Sequence, residues 1–177
     1  MRDVMGARDQ SEISIREAKE ADLVFVCELL NAEIATSPYV YAESPVSVDE
    51  RRDWLATHVA AGLPVFVAVE SGVDASVIGW AALSAYRAAR GYRFTSEASV
   101  YVSRRAQRRG IGGSLLSKLC DEARRLGHHR IAASIDAENS ASIALFEKHG
   151  FREVARLDDV GYKFGAWRTQ LLLLRAV

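Results

Sequence analysis

A chain of 177 residues with 49% apolar and 26% charged positions can bury the core of one domain of ordinary size. Twenty-three Lys plus Arg balance twenty-three Asp plus Glu, and a net charge near zero argues against a general nucleic-acid binder held by a basic surface. No apolar run approaches the roughly 20 residues needed to cross a bilayer, and the N-terminus has no apolar signal core, so a soluble, unexported, cytoplasmic protein is expected.

Residues 1–12 are polar and aperiodic and read as a frayed, partly disordered leader, with the folded domain spanning 13–177. A first strand is expected at 13–16. Leu23, Val26, Cys27, Leu30 and Ile34 then recur at helical spacing over 21–34. Residues 36–47, with two prolines and two tyrosines and no period, form a loop. Ser47-Val48-Asp49-Glu50 has the capping-box pattern and starts a helix that Gly62 and Pro64 stop. Apolar and β-branched runs at 65–70 and 77–83 flank the turn Ser71-Gly72-Val73-Asp74, which predicts a hairpin. A basic, aromatic loop at 86–93 leads to an alternating strand at 98–103. Leu115, Leu116, Leu119, Cys120, Ala123 and Leu126 share one helical face, and Gly127 supplies the left-handed stop. A strand at 131–135, a short helix at 139–149 and closing strands at 151–156 and 167–174 complete the chain. Cys27 and Cys120 are too few for a disulfide framework, and no Cys/His pair has metal-ligand spacing. They read as reduced core thiols, with His128 and His129 as surface imidazoles and no metal. The order β-α-α-β-β-β-α-β-α-β-β predicts an α+β single domain, with helices flanking a mixed, mostly antiparallel central sheet.

The most informative segment is Gln107-Arg108-Arg109-Gly110-Ile111-Gly112-Gly113-Ser114, between a predicted strand and a predicted helix. A helix N-terminus offers unpaired N–H groups and a positive dipole end, and glycines let a phosphate approach the backbone. Arg104, Arg105, Arg108 and Arg109 add attraction for an anion; the plain alternative is a tight turn with a solvated basic edge. Neither a P-loop nor a G-x-G-x-x-G fingerprint is present.

Q-x-x-G-x-G followed by Gly-Ser-Leu-Leu resembles the pyrophosphate-binding motif of the GCN5-related N-acetyltransferases. Asn139 through Phe151 resembles the N-x-x-S-x-x-L-x-E-K-x-G-F signature of the same superfamily. Within it, the pattern is similar to phosphinothricin and methionine sulfone or sulfoximine acetyltransferases over about residues 13–175. The carriers include Tyr39-Val40-Tyr41, Tyr86-Arg87, Glu97, Ser99-Val100-Tyr101-Val102, Ile135-Asp136-Ala137-Glu138-Asn139 and the run 160–167. The resemblance implies a GNAT-like fold and acetyl-coenzyme A as cosubstrate. It further implies main-chain contacts to pantetheine from Val100, Tyr101 and Val102, pyrophosphate contacts around Arg108, Arg109, Gly110, Ile111, Gly112, Gly113 and Ser114, and a side-chain amide contact from Asn139. Glu97, expected just before the cofactor strand, is implied as the base for the acceptor ammonium; a solvated edge acid is the alternative. Arg87 and Arg90 form either a carboxylate clamp or a solvated loop pair. Tyr92, Lys163, Phe164 and Trp167 fall on the substrate side by resemblance, or form a hairpin with buried aromatics. Tyr39 and Tyr41 are open between pocket wall and core.

Two positions depart from the family pattern. Ala89 stands where a second Arg is common, and Phe146 where His or Tyr is common; Phe carries no proton, and core packing accounts for it equally. The expected function is acetyl transfer to the α-amine of a small amino-acid-like acceptor by direct attack in a ternary complex. Competing readings are a peptide, protein or other amine acceptor, and a non-catalytic acyl-coenzyme A module. A homodimer is also expected, in which 39–41 and 163–167 meet across the interface and complete each pocket.

Overall fold

The computed structural model describes residues 12–72 and 76–177. The expected leader, up to residue 11, and Val73 and Asp74 of the expected hairpin turn lie outside the described residues. The strands are β1 (Ile13–Glu17), β2 (Val65–Glu70), β3 (Ser76–Ala85), β4 (Thr95–Val102), β5 (Arg130–Asp136), β6 (Arg152–Lys163) and β7 (Ala166–Ala176). The helices are α1 (Leu23–Thr36), α2 (Val48–Ala60), α3 (Ile111–Arg125) and α4 (Ser140–Lys148). One seven-stranded sheet runs β1-β2-β3-β4-β5-β7-β6, antiparallel except between β4 and β5. This is the expected α+β architecture. Most boundaries shift by one or two residues, and the shifts that bear on the site are in β4, which begins at Thr95, so that Glu97 lies inside the strand, and in β6, which continues to Lys163 because it pairs with β7 along nearly its whole length.

The sheet separates two apolar layers. On one face, Ile78, Ala81, Leu83 and Ala98 pack against Leu115, Leu116, Leu119 and Cys120 of α3, with Phe146 and Phe151 completing the cluster. Each fully buried leucine contributes roughly 1.5–3 kcal/mol, so the α3 stripe fixes the helix on the sheet. On the other face, Val26, Leu30 and Ile34 of α1 pack on Val65, Val67, Val77 and Trp80. The capping box forms as expected: the Glu50 amide donates to Ser47 Oγ, and the Ser47 amide to the Glu50 carboxylate at 2.7 Å.

Cys27 and Cys120 are free and buried. His128 departs from the surface reading, because its Nδ1 pairs with the hydroxyl of buried Ser96 at 2.9 Å and burial lowers its pKa. No helix of the described residues is long and apolar enough to cross a membrane.

Candidate active site

The site begins where two parallel strands part. The β4–β5 ladder ends at the pair Glu97 and Ala132, yet β4 stays paired with β3 as far as Val102, and β5 stays paired with β7 as far as Asp136. A cleft of about 540 Å³ opens between them. The Ser103 amide donates to Ile78 O in β3, which sets the phase of β4, so strand alternation turns the main-chain groups of Val100 and Val102 towards the cleft. Tyr101 has its main-chain groups towards β3, and its ring stacks on Trp80 at 4.5 Å.

The N-terminus of α3 lines the same cleft. Gly110 precedes the helix at φ 81°, a left-handed conformation that favours glycine, and no side chain caps the helix there. The first amide to bond back is that of Ser114, to Gly110 O at 3.0 Å, so the N–H groups of Ile111, Gly112 and Gly113 are left without helical acceptors. Most of the neighbouring cations serve the fold: Arg104 reaches Thr36 and Glu33, Arg105 reaches Ser76, and Arg109 pairs with Glu70 at 2.7 Å. Arg108 is exposed, at φ 61°, and is not engaged in this way. On the opposite wall Asn139 caps α4, its Oδ1 accepting from the Ser142 amide at 3.1 Å, which leaves its amide nitrogen as the donor. Phe146 is buried edge-on against Phe151 and also lines the cleft, so packing and pocket wall are one role.

A second cavity, of about 300 Å³, is lined by Tyr86, Arg87, Glu97, Leu157, Gln170 and Leu172, together with Ser134. Ser134 lines both cavities. Arg87 lies over the rings of Tyr86 and Tyr92, with its guanidinium carbon 5.2 and 5.7 Å from their centroids. A half-buried carboxylate and a guanidinium therefore line one cavity, which shares the Ser134 hydroxyl with the cleft that presents free amides.

A model of the acetyltransferase (GNAT) family matches residues 28–151. The L-methionine sulfoximine/L-methionine sulfone acetyltransferase of Salmonella typhimurium is 39% identical over 155 residues, covering 88% of this chain and 89% of the relative. The chain belongs to the GNAT family. It is an N-acetyltransferase with acetyl-CoA as cosubstrate. A solved GNAT-fold acetyltransferase of Salmonella typhimurium, bound to its cofactor acetyl-CoA, matches with a TM-score of 0.89 at 37% identity, covering 94% of each chain. The phosphinothricin N-acetyltransferase of Streptomyces coelicolor is 34% identical, covering 89% of this chain and 92% of the relative.

Against this GNAT frame, not every expected site residue comes together. Arg90 opens a single 3-10 turn, Arg90–Tyr92, and lines neither cavity. Lys163 is buried and its Nζ donates to Ala42 O, so its charge is committed to the fold. Phe164 and Trp167 are 61% and 65% exposed at the β6–β7 turn, which contradicts the reading of a hairpin with buried aromatics. The segments 39–42 and 163–168, expected to meet across an interface, meet within one chain, through Lys163 and through Arg168 beside Tyr39.

Two features went unread in the sequence. Ser134 was available from alternation, since Ile131, Ala133 and Ile135 face α3 and leave Ser134 on the opposite side. The second is a buried group around Asp136. This carboxylate accepts from Arg168 Nε at 2.8 Å and Nη2 at 2.7 Å, from the Glu138 amide at 2.9 Å and from the Tyr41 hydroxyl at 2.9 Å. Burial pushes the Asp136 pKa up, but these hydrogen bonds, chiefly from Arg168, outweigh it and hold the carboxyl below its usual range. Burial and the bond to Asp136 push Tyr41 up to about 12.

Proposed function

We propose that the protein transfers an acetyl group to the α-amine of a small amino-acid-like acceptor, of the methionine sulfone, methionine sulfoximine or phosphinothricin type, by direct attack in a ternary complex. The observation that carries this reading is the meeting of two cavities at Ser134, one ending in free helix amides and the other holding Glu97 and Arg87. The named activities of the relatives from Salmonella typhimurium and Streptomyces coelicolor support the acceptor class.

The residues present fit acetyl-CoA. The amides of Ile111, Gly112 and Gly113, at the positive end of α3, suit a diphosphate, with Arg108, Arg109, Gly110 and Ser114 around them. The main chain of Val100 and Val102 and the amide nitrogen of Asn139 suit an amide-bearing arm, whereas the main chain of Tyr101, expected to share this role, is turned to β3. When bound, acetyl-CoA supplies an activated thioester whose thiol, with a pKa near roughly 8.5, leaves as a thiolate. Glu97 takes one proton from the acceptor ammonium, freeing the lone pair that forms the new N–C bond; as the C–S bond breaks, the second proton that nitrogen must lose to become the amide passes to the departing thiolate. Phe146 has no proton to give, and none is required for a thiolate to depart. Arg87 holds the acceptor carboxylate, pre-oriented by the two tyrosine rings. The catalytic domain spans 13–177, and the two free buried thiols suit the reducing cytoplasm.

A homodimer belongs to the same reading. Leu157, Val160, Tyr162, Phe164 and Trp167 expose a strip of apolar side chains along β6 and its turn, which a second copy would cover; light scattering that shows a monomer at micromolar concentration would remove this part.

The test of acceptor chemistry is steady-state thiol release with L-methionine sulfone and with its carboxamide. The free acid should be preferred by roughly tenfold to a hundredfold in kcat/KM. Equal rates would overturn the acceptor class in favour of peptides. Acetyl-CoA binding without thiol release from any amino acid would point to a non-catalytic binding module.

A further inference from the structure

Residues 37–46 connect α1 to α2 without helix or strand, so main-chain pairing does little to hold them in place. Their ends are tied to α1. The Ser37 amide donates to Glu33 O at 2.8 Å, and Val46 exchanges hydrogen bonds with the Asn31 side chain at 2.8 and 2.9 Å. The middle is tied elsewhere. Tyr41 donates its hydroxyl to Asp136, and Ala42 O accepts from Lys163, so the attachment lies on β5 and β6, about a hundred residues along the chain.

The receiving side is built to stay still. Asp136 and Arg168 are 4% and 8% exposed and pair through two hydrogen bonds, with Glu138 adding a third contact to Arg168 at 3.0 Å. The Tyr41 ring lies directly on Gly161: a Cβ there would stand 2.5 Å from Tyr41 Cε2, so any side chain would displace the ring. The held segment is not remote from the chemistry. Ser37, Tyr39 and Val40 line the large cleft, as do Asp136 and Ser134, and Tyr39 lies beside Arg168.

We infer that Asp136, Arg168 and Gly161 form a latch for Tyr41 that positions residues 37–46 as a wall of the acceptor end of the cleft, which makes Tyr41 and Gly161 positioning residues that set acceptor affinity. This rests on the acetyl-transfer reading for its kinetic part and on geometry alone for its structural part. A carboxylate that already accepts four hydrogen bonds has little capacity left for a substrate, so Asp136 acts through Tyr41 and not by contact.

The variant that isolates the latch is Tyr41→Phe, which keeps the ring on Gly161 and deletes one hydrogen bond to a charged group. Amides of residues 39–42 should exchange with deuterium about tenfold faster than in the wild type. The KM of L-methionine sulfone should rise roughly five- to tenfold, with kcat and the Kd of acetyl-CoA within about twofold. Gly161→Ala, which forces the ring off its seat, should produce the same pattern more strongly. Unchanged exchange in Tyr41→Phe would overturn the latch whatever the acceptor proves to be. Faster exchange with an unchanged KM would overturn its positioning role. If the wild type acetylates no amino acid, the acceptor reading falls, and the exchange comparison still decides the latch.

Discussion

The two ends of the cleft are built from different materials. At the α3 end, the groups that face a ligand are main-chain amides, on a glycine-rich turn held by the leucine stripe beneath it. At the acceptor end they are side chains: Glu97, Arg87 and Ser134 on three segments, walled by a loop that Tyr41 ties to Asp136. A main-chain site needs a particular backbone path and tolerates variation in the side chains around it. A side-chain site keeps the path and changes its meaning with each substitution, which is how one family can share a cosubstrate and differ in acceptor.

Bulk at the amide end should produce the largest effect. A Cβ on Gly112 would lie 3.2 Å from Leu145 Cδ2 and 3.6 Å from Val102 Cγ2, so the branches of Gly112→Val must displace the Leu145 side chain and crowd the first turn of α3. The Kd of acetyl-CoA should rise by about a hundredfold or more by calorimetry. An unchanged Kd would break the comparison at its main-chain end. Next comes the buried charge pair. Asp136→Asn leaves buried Arg168 with only the exposed Glu138 as counter-ion and should cost up to about 3–5 kcal/mol of stability in urea unfolding at pH 7. Because the native Asp136 pKa lies below its unfolded value, the pair's contribution is full above the unfolded pKa and fades as pH falls through the depressed one. The wild type should therefore lose more stability than Asp136→Asn between pH 6 and pH 3.

A smaller effect separates two arginines that the sequence treats alike. Arg87→Ala should lower kcat/KM for a free amino acid by roughly tenfold to a hundredfold and leave its carboxamide unaffected. Arg90→Ala should change either rate by less than about twofold, because Arg90 lines neither cavity. Equal losses in the two variants would restore the paired clamp.

This division also accounts for what could be read before the fold was known. The element order, the capping box at Ser47 and the glycine turn before α3 were readable because each depends on neighbours within a few residues. Glu97, singled out by resemblance as lying just before its strand, sits inside it, because the strand starts at Thr95, two residues earlier. The Asp136 cluster was not. Tyr41, Asp136 and Arg168 stand 95 and 32 positions apart, and only the β5–β7 register brings Arg168 beside Asp136. Lys163 misled for the same reason: a lysine near a substrate-side turn looks free until the loop carbonyl of Ala42 is seen on it. Phe164 and Trp167 stood open between substrate-side walls and buried hairpin aromatics, and only the structure shows them exposed at the turn where the β6–β7 pairing ends.

The central claim is that the amide end binds the cosubstrate and Glu97 performs the proton transfer, with little dependence of one on the other. Glu97→Gln keeps the shape of the second cavity and removes its base. Calorimetry and thiol release on this variant should give an acetyl-CoA Kd within about twofold of the wild type and a kcat reduced roughly a hundredfold or more. A Glu97→Gln enzyme that keeps its kcat would contradict the account.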